Sequence, residues 1–162
     1  MIRARTIESP IGPLTLAGDD RALTHLLMHE QAHPPQQVGT WEPDNSIFPE
    51  VVDQLGAYFS GELTEFKVAM RLVGTEFQQR VWRALCDIPY GETESYGELA
   101  ARIGQPTASR AVGLANGRNP IALIVPCHRV IGASGTLVGY GGGLDRKHTL
   151  LALERGQRGL GL

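Results

Sequence analysis

Apolar and β-branched residues open the chain in three short runs, at 2–7, 14–17 and 22–28. Ser9-Pro10-Ile11-Gly12 and Gly18-Asp19-Asp20 separate them with turn-forming residues. Short runs with tight turns predict three antiparallel strands. The stretch from His33 to Asn45, with Pro34 and Pro35, reads as loop. After Ser46 the period lengthens: Val51, Val52, Leu55, Tyr58 and Phe59 fall on one helical face, and Gly61 follows its end. Residues 66–73 alternate and predict a further strand. The pattern changes at Gly74, which is taken as a domain boundary.

Beyond it the spacing is helical. Thr75 can cap a helix carrying Phe77, Val81, Trp82, Leu85 and Ile88, ended by Pro89-Tyr90-Gly91. Ser95-Tyr96-Gly97-Glu98 has the form of a capping box and opens a short helix with Leu99, Ala100 and Ile103. Gly104 breaks it, and Pro106 suits the first turn of the next helix, which runs to Asn116-Gly117. Two short helices joined by a glycine-containing turn make a helix-turn-helix pattern. Ile121–Val125 reads as a buried strand, and 145–155 as a last helix with Leu150, Leu151 and Glu154 close together. The expected fold is α+β. Residues 1–74 form an antiparallel sheet with one helix. Residues 75–156 form a mostly helical domain with the helix-turn-helix, and residues 157–162 a flexible tail.

Composition narrows the function. The 162 residues are 42% hydrophobic and carry a net charge of −2. That is enough to bury a core, and it argues against disorder. Two cysteines cannot build a disulfide framework, and Met1–Pro10 lacks the apolar core of a signal peptide. A reducing, cytoplasmic protein with no membrane association is expected. The charge is uneven. Residues 1–74 hold five basic and ten acidic groups, a balance of −5, and residues 75–162 hold ten and seven, a balance of +3. Arg110, Arg118, Arg129, Arg146 and Lys147 lie in one stretch with Asp145 as its single acid. The pattern fits either ordinary solvated charge or a basic surface for nucleic acid.

The second helix of the helix-turn-helix has small residues on its expected outer face: Ala108, Ser109, Ala111, Gly113 and Ala115, with Arg110 alone long and charged. It can approach a backbone closely but has almost no base-reading chemistry. A lone arginine can fill the gap left by a base taken out of the stack. A helical hairpin whose small residues pack inside a protein explains the same pattern.

Ile121-Ala122-Leu123-Ile124-Val125-Pro126 delivers Cys127 stiffly to the edge of an apolar run, with His128 and Arg129 next. Neighbouring cations or an imidazole favour the nucleophilic thiolate. Glu154, on an otherwise apolar helix, is the candidate to orient His128. A buried cysteine can also be a small core hydrophobe. Cys86 is expected to pack on its helix. His25, His29, His33 and His148 show no ligand spacing, so no metal is expected. Gly141-Gly142-Gly143 reads as the hinge of a loop closing over a pocket, with Tyr140 as its wall.

Pro126-Cys127-His128-Arg129-Val130 resembles the active-site motif of the O6-alkylguanine-DNA alkyltransferases, also called methylated-DNA–protein-cysteine methyltransferases. Phe77–Trp82, Ile88–Thr93, Ser95-Tyr96, Ala111-Val112-Gly113, Asn119-Pro120 and 139–143 resemble the family in order and spacing. The specific match covers about residues 75–155. The resemblance implies direct repair of O6-alkylguanine, and possible action on O4-alkylthymine, by irreversible transfer of the alkyl group to Cys127, once per molecule. It implies double-stranded DNA as partner, held at the minor groove with little sequence preference and with the damaged base flipped out. No cofactor is implied, and a monomer is expected.

The resemblance also distributes roles. Cys127 would accept the alkyl group, His128 would deprotonate it through a water, and Glu154 would orient His128. Asn119 would hold the helix-turn-helix against the active-site segment. Tyr96 would bond the flipped base and help protonate the leaving guanine. The Val130 carbonyl and the Cys127 backbone would read the guanine amino group, and Tyr140 would form the pocket wall. Arg110 would occupy the vacated stack, with Ala108, Ser109, Ala111 and Gly113 on DNA. Gly141 stands where relatives can carry a hydroxyl, so only its backbone could reach O6, and a roomier pocket is expected. Some relatives lack the cysteine and only bind lesions; Cys127 is present here. Two other readings fit the residues: a helix-turn-helix regulator, which needs a base-reading helix, and a cysteine hydrolase, which needs an oxyanion hole.

Overall fold

The computed structural model describes residues 1–31, 34–133, 140 and 142–156. Strands β1 (Arg3–Ile7), β2 (Leu14–Gly18) and β3 (Leu23–Met28) pair antiparallel in sequence order, as the alternation predicts. The loop expected over 33–45 is more ordered than its composition suggests. It contains a 3-10 turn, Gln36–Thr40, and a two-residue strand β4 (Glu42–Pro43) that pairs in parallel with β1. The sheet order is therefore β3-β2-β1-β4. Helix α1 (Pro49–Phe59) follows and buries Val51, Leu55, Tyr58 and Phe59.

Residues 66–73 do not form the expected strand. The alternation is real, since Phe66, Val68, Met70 and Leu72 are half-buried and the residues between them exposed. The segment nevertheless touches the sheet at a single bridge, where Leu23 N–H donates to the Ala69 carbonyl and Arg71 N–H to that of Leu23. The rest of the β3 edge is taken by a distant part of the chain. Leu26 N–H donates to the Pro120 carbonyl at 2.9 Å, and Ala122 N–H returns to Leu26 at 3.1 Å.

That pairing also explains why Ile121–Val125 is not a strand. Only Ile121 meets a sheet edge. The chain then coils through tight turns, Ile124 N–H to Ala122 and Val125 N–H to Ile121, with Leu123 in the left-handed region at φ 70°. A non-glycine residue is rarely found there and needs its surroundings to hold it. Leu123 is fully buried, and periodicity cannot separate such a buried coil from a buried strand.

Helices α2 (Glu76–Leu85) and α3 (Tyr96–Arg102) both begin with complete capping boxes, Thr75 with Gln78 and Ser95 with Glu98. The short strand β5 (Glu94–Ser95) precedes α3 and pairs with β6 (Val130–Ile131). Gly104, at φ +83°, turns the chain after α3. Helix α4 spans Ser109–Gly117, three residues later than Pro106 suggested, because Pro106 and Thr107 form a separate turn. Trp82 of α2 is buried and donates from Nε1 to the Ala115 carbonyl at 2.9 Å, tying α2 to α4. Helix α5 (Leu144–Glu154) closes the described chain. Cys86 corrects its expectation. It sits at the C-cap of α2, one residue past the buried Leu85, and is exposed. The expected tail at 157–162 lies outside the described residues.

Candidate active site

Cys127, His128 and Arg129 form a single 3-10 turn between the coiled segment and β6, and all three are buried. His128 and Arg129 both turn to one partner, Glu154, while the Cys127 thiol faces other groups. His128 Nε2 lies 2.6 Å from Glu154 Oε2, with neither side chain exposed. Arg129 does not face the thiol as a neighbouring cation. It forks onto the same carboxylate, Nε to Oε1 at 2.8 Å and Nη2 to Oε2 at 3.1 Å, and donates from Nη1 to the Ile88 carbonyl at 2.7 Å.

Glu154 is thus ionised in the protein interior. Burial opposes its charge, but the bonds and charges of His128 and Arg129 outweigh burial and hold its carboxyl far below the usual range. Arg129 is charged at any physiological pH, so the carboxylate keeps a counter-ion when His128 is neutral. Burial lowers the His128 pKa, against the pull of Glu154. In a neutral imidazole the proton facing a carboxylate sits on Nε2, which leaves Nδ1 as an acceptor. Nδ1 is buried and has no protein hydrogen-bond partner among the described residues.

The Cys127 thiol is not a resting thiolate. Burial pushes its pKa up, and Asn119, Lys147 and Tyr140 offset this only in part. The expectation of a thiolate stabilised by adjacent residues fails because Arg129 is committed to Glu154. The cation that acts on the thiol is Lys147, fully buried on α5, with its ammonium donating to the Val130 carbonyl. Nζ lies 5.8 Å from the Tyr140 ring centre and 6.0 Å from that of Tyr96. Burial lowers the Lys147 pKa to about 8. The sequence carried a signal for it: Lys147 and Glu154 are seven residues apart on one helix and share its inward face.

Asn119 is buried with both ends of its amide engaged, donating from Nδ2 to the Val125 carbonyl at 2.8 Å and accepting from Ile121 N–H at 3.0 Å. It ties the end of α4 to the coil carrying Cys127. Asn116 adds a second tie that sequence reasoning missed, from Nδ2 to the Cys127 carbonyl at 3.3 Å. Tyr96 opens α3, half-buried. Burial raises its pKa, and ionisation of Cys127 would raise it further, so the phenol keeps its proton. The Tyr140 hydroxyl lies between the Cys127 thiol and Met28 Sδ, the latter at 3.8 Å. Gly142 packs so tightly that a Cβ there would fall 2.6 Å from the Met28 side chain and 2.8 Å from the Tyr140 ring. Gly141 lies outside the described residues.

Above this cluster, α4 presents Ser109, Arg110 and Ala111 as exposed, with Ala108 and Gly113 half-buried. A Cβ on Gly113 would sit 3.7 Å from the Tyr96 ring, so this helix runs directly over the site. Ala115, expected on the outer face, is instead buried, because that side of α4 receives the Trp82 indole. Leu114, not singled out in the sequence, is 69% exposed between Arg110 and Arg118 at helical spacing. Among the described residues no group of three or more His, Cys, Asp or Glu could hold a metal ion, and no helix is long and apolar enough to cross a membrane.

Comparison with known proteins adds the decisive observation. The models for the DNA binding domain and the ribonuclease-like domain of 6-O-methylguanine DNA methyltransferase match residues 76–156 and 2–72. The chain belongs to the 6-O-methylguanine DNA methyltransferase family. A methylated-DNA–protein-cysteine methyltransferase of Mycobacterium leprae is 65% identical over 157 residues, 97% of this chain and 94% of its own length. One from Methanosarcina mazei is 56% identical over 148 residues, covering 91% of this chain and 94% of its own. The crystal structure of Mycobacterium tuberculosis OGT in complex with DNA superposes with a TM-score of 0.92 at 65% identity, covering 95% of this chain and 93% of that one. These matches agree with an α+β fold and with membership of a DNA-repair methyltransferase family along nearly the whole chain.

Proposed function

We propose that this protein repairs O6-alkylguanine in double-stranded DNA by moving the alkyl group onto Cys127, once per molecule. The observation that carries this reading is the Cys127 thiol beside a buried His128–Glu154 pair, with Nε2 and Oε2 2.6 Å apart and Nδ1 of His128 left as the acceptor. A thiol with a raised pKa needs a base at the moment of reaction. His128 Nδ1 takes the thiol proton through a water. The sulfur then attacks the alkyl carbon, an S–C bond forms, and the C–O6 bond breaks with its electrons going to guanine. Tyr96, protonated at neutral pH, supplies the proton that the leaving guanine needs, and the proton taken up by His128 returns to the Tyr96 phenolate through solvent, so the net change is thiol plus alkylguanine to thioether plus guanine. The thioether resists water, and this chemistry has no step that regenerates the thiol.

DNA reaches the site through α4. Ala108, Ser109, Ala111 and Gly113 allow close approach of that helix to the minor groove, and Arg110 fills the stack vacated by the flipped base. Binding is by phosphate and shape, so it is salt-sensitive and nearly indifferent to sequence. That suits damage that arises anywhere, and it disfavours a sequence-reading regulator. The Val130 carbonyl, already bonded to Lys147, keeps a second lone pair for the guanine amino group. Tyr140 walls the pocket, and a glycine at position 141, where relatives can carry a hydroxyl residue, favours acceptance of groups larger than methyl. Residues 75–156 carry the chemistry and 1–74 brace it. The protein acts as a monomer in the cytoplasm, where reducing conditions keep Cys127 a thiol.

Intact-mass measurement after incubation with duplex DNA containing O6-methylguanine tests this. One methyl gained, and lost in Cys127→Ala, is expected. An unchanged mass, or repeated turnover with excess DNA, would overturn it.

A further inference from the structure

Tyr58 lies in the last turn of α1, on the far side of the domain boundary from Cys127, and is 1% exposed. By its spacing it reads as one more apolar residue on a buried helix face. Its ring does pack that way, 5.3 Å from the rings of Phe59 and Phe66 and 6.2 Å from that of Tyr90. Its hydroxyl does something else. It donates to Glu154 Oε2 at 2.6 Å, across 96 positions of sequence, to the same oxygen that faces His128 Nε2.

We infer that Tyr58 is a positioning residue of the alkyl-transfer site, supplied by the N-terminal domain, whose hydroxyl fixes the Glu154 carboxylate and limits how strongly it draws a proton onto His128. The inference rests on the reading of His128 as the base. Its physical content is competition for one oxygen. Oε2 receives Tyr58, His128 and one arm of Arg129, while Oε1 receives the other arm and, more weakly, Gly91 N–H at 3.5 Å. Each donor spreads part of the carboxylate charge. Without the Tyr58 donor, more of that charge faces the imidazole, and the imidazolium becomes more stable. A base held too tightly as imidazolium is already protonated at neutral pH and cannot take the thiol proton.

The groups that face the pair come from four elements: Tyr58 from α1, Tyr90 and Gly91 from the turn after α2, Arg129 from the Cys127 turn, and Lys147 from α5. Arg129 and Lys147 each disfavour a charged His128. Tyr58 is neutral, and its own proton is secure because burial and Glu154 both raise its pKa far above the physiological range. Its contribution is therefore constant with pH, while His128 titrates against it.

The test is the pH profile of single-turnover methyl transfer from O6-methylguanine duplex DNA, for wild type and Tyr58→Phe. The phenylalanine keeps the ring packing and deletes the hydroxyl. The acidic limb, where His128 gains its proton, is expected to move up by about half a pH unit or more. A second variant guards against a folding defect: 3-fluorotyrosine introduced at position 58 keeps the hydroxyl and makes it a stronger donor, so the limb should move down. Limbs that superimpose in all three proteins overturn the inference, whatever happens to the maximal rate, because a purely packing role has no means of moving a titration. Failure of the wild type to acquire a methyl group on Cys127 would overturn the parent reading instead.

Discussion

Arg129 and His128 are sequence neighbours that share one buried carboxylate, Glu154, by bonds of 2.6 to 3.1 Å. The arginine keeps the carboxylate ionised, and the carboxylate keeps the imidazole in the tautomer whose Nδ1 is an acceptor. The two side chains thus have separate functions on a common anchor, and removing the anchor should damage both.

Glu154→Gln keeps the shape and removes the charge. Breaking a buried ion pair from one side costs about 3–5 kcal/mol, because the remaining charge is left without a partner. For a chain of this size that corresponds to a fall in melting temperature on the order of 10 °C. Transfer should slow by roughly tenfold or more, as expected for loss of a base's orienting partner. A melting temperature equal to wild type would show that the pair contributes nothing to the fold.

Acid should destabilise the protein in two stages. His128 has a lowered pKa in the folded state, while the unfolded chain titrates near 6.5. Its contribution is full above about pH 6.5 and is lost as the pH falls from there through the folded value, because the unfolded state takes up the proton first. Glu154 is lowered too, so its contribution is lost further down, below about pH 4.3. Melting temperatures recorded from neutral to acidic pH should fall in that order, with the second stage smaller in Glu154→Gln, where the lowered carboxyls of Asp19, Asp44 and Glu98 remain. A flat profile between neutrality and pH 5 would contradict the first stage.

Lys147→Met should make Cys127 a weaker nucleophile. The substitution keeps the length of the side chain and removes the charge that opposes the rise in the thiol pKa. The pH midpoint for alkylation by iodoacetamide should move up by about one unit or less. In the wild type the same benefit fades above pH 8, since the Lys147 pKa is lowered to about 8. A midpoint that does not move would reduce Lys147 to its bond with the Val130 carbonyl.

Arg110→Ala should separate base extrusion from chemistry. Arg110 is exposed on α4 and has no place in the Cys127 cluster. Repair of duplex DNA should fall by at least tenfold while reaction with free O6-benzylguanine stays within about twofold, since only the duplex substrate pays the unstacking cost of a few kcal/mol. Equal losses on both substrates would remove the role given to Arg110.

The first three strands and α1, α2, α3 and α5 were legible because each follows from local rules: alternation, helical spacing, a capping serine or threonine, a terminating glycine. Thr75 and Ser95 show this best, since each forms a capping box within four residues. The strands expected at 66–73 and 121–125 failed for one shared reason. Both segments have the hydrophobicity of a strand, but the β3 edge has only Leu23 and Leu26 to offer, and the two segments divide it. Edge availability is a property of the assembled sheet.

The candidate site divides in the same way. Residue types and short spacings pointed to Cys127, His128 and Glu154, because a stiff apolar approach, an adjacent imidazole and an acid on an apolar helix are each visible within a few positions; Asn119 and Tyr96 were implied by the family resemblance instead. Which partner each side chain faces was not visible. Arg129 beside the thiol in sequence turns to Glu154, Lys147 twenty residues away approaches the thiol, and Tyr58 reaches Glu154 from α1. By itself the sequence determined the chemistry available to this protein, since reactivity belongs to side-chain type and its immediate neighbours. The tertiary structure alone decided how that chemistry is tuned, because the burial and charge that set each pKa come from residues brought together only when the two halves of the chain pack.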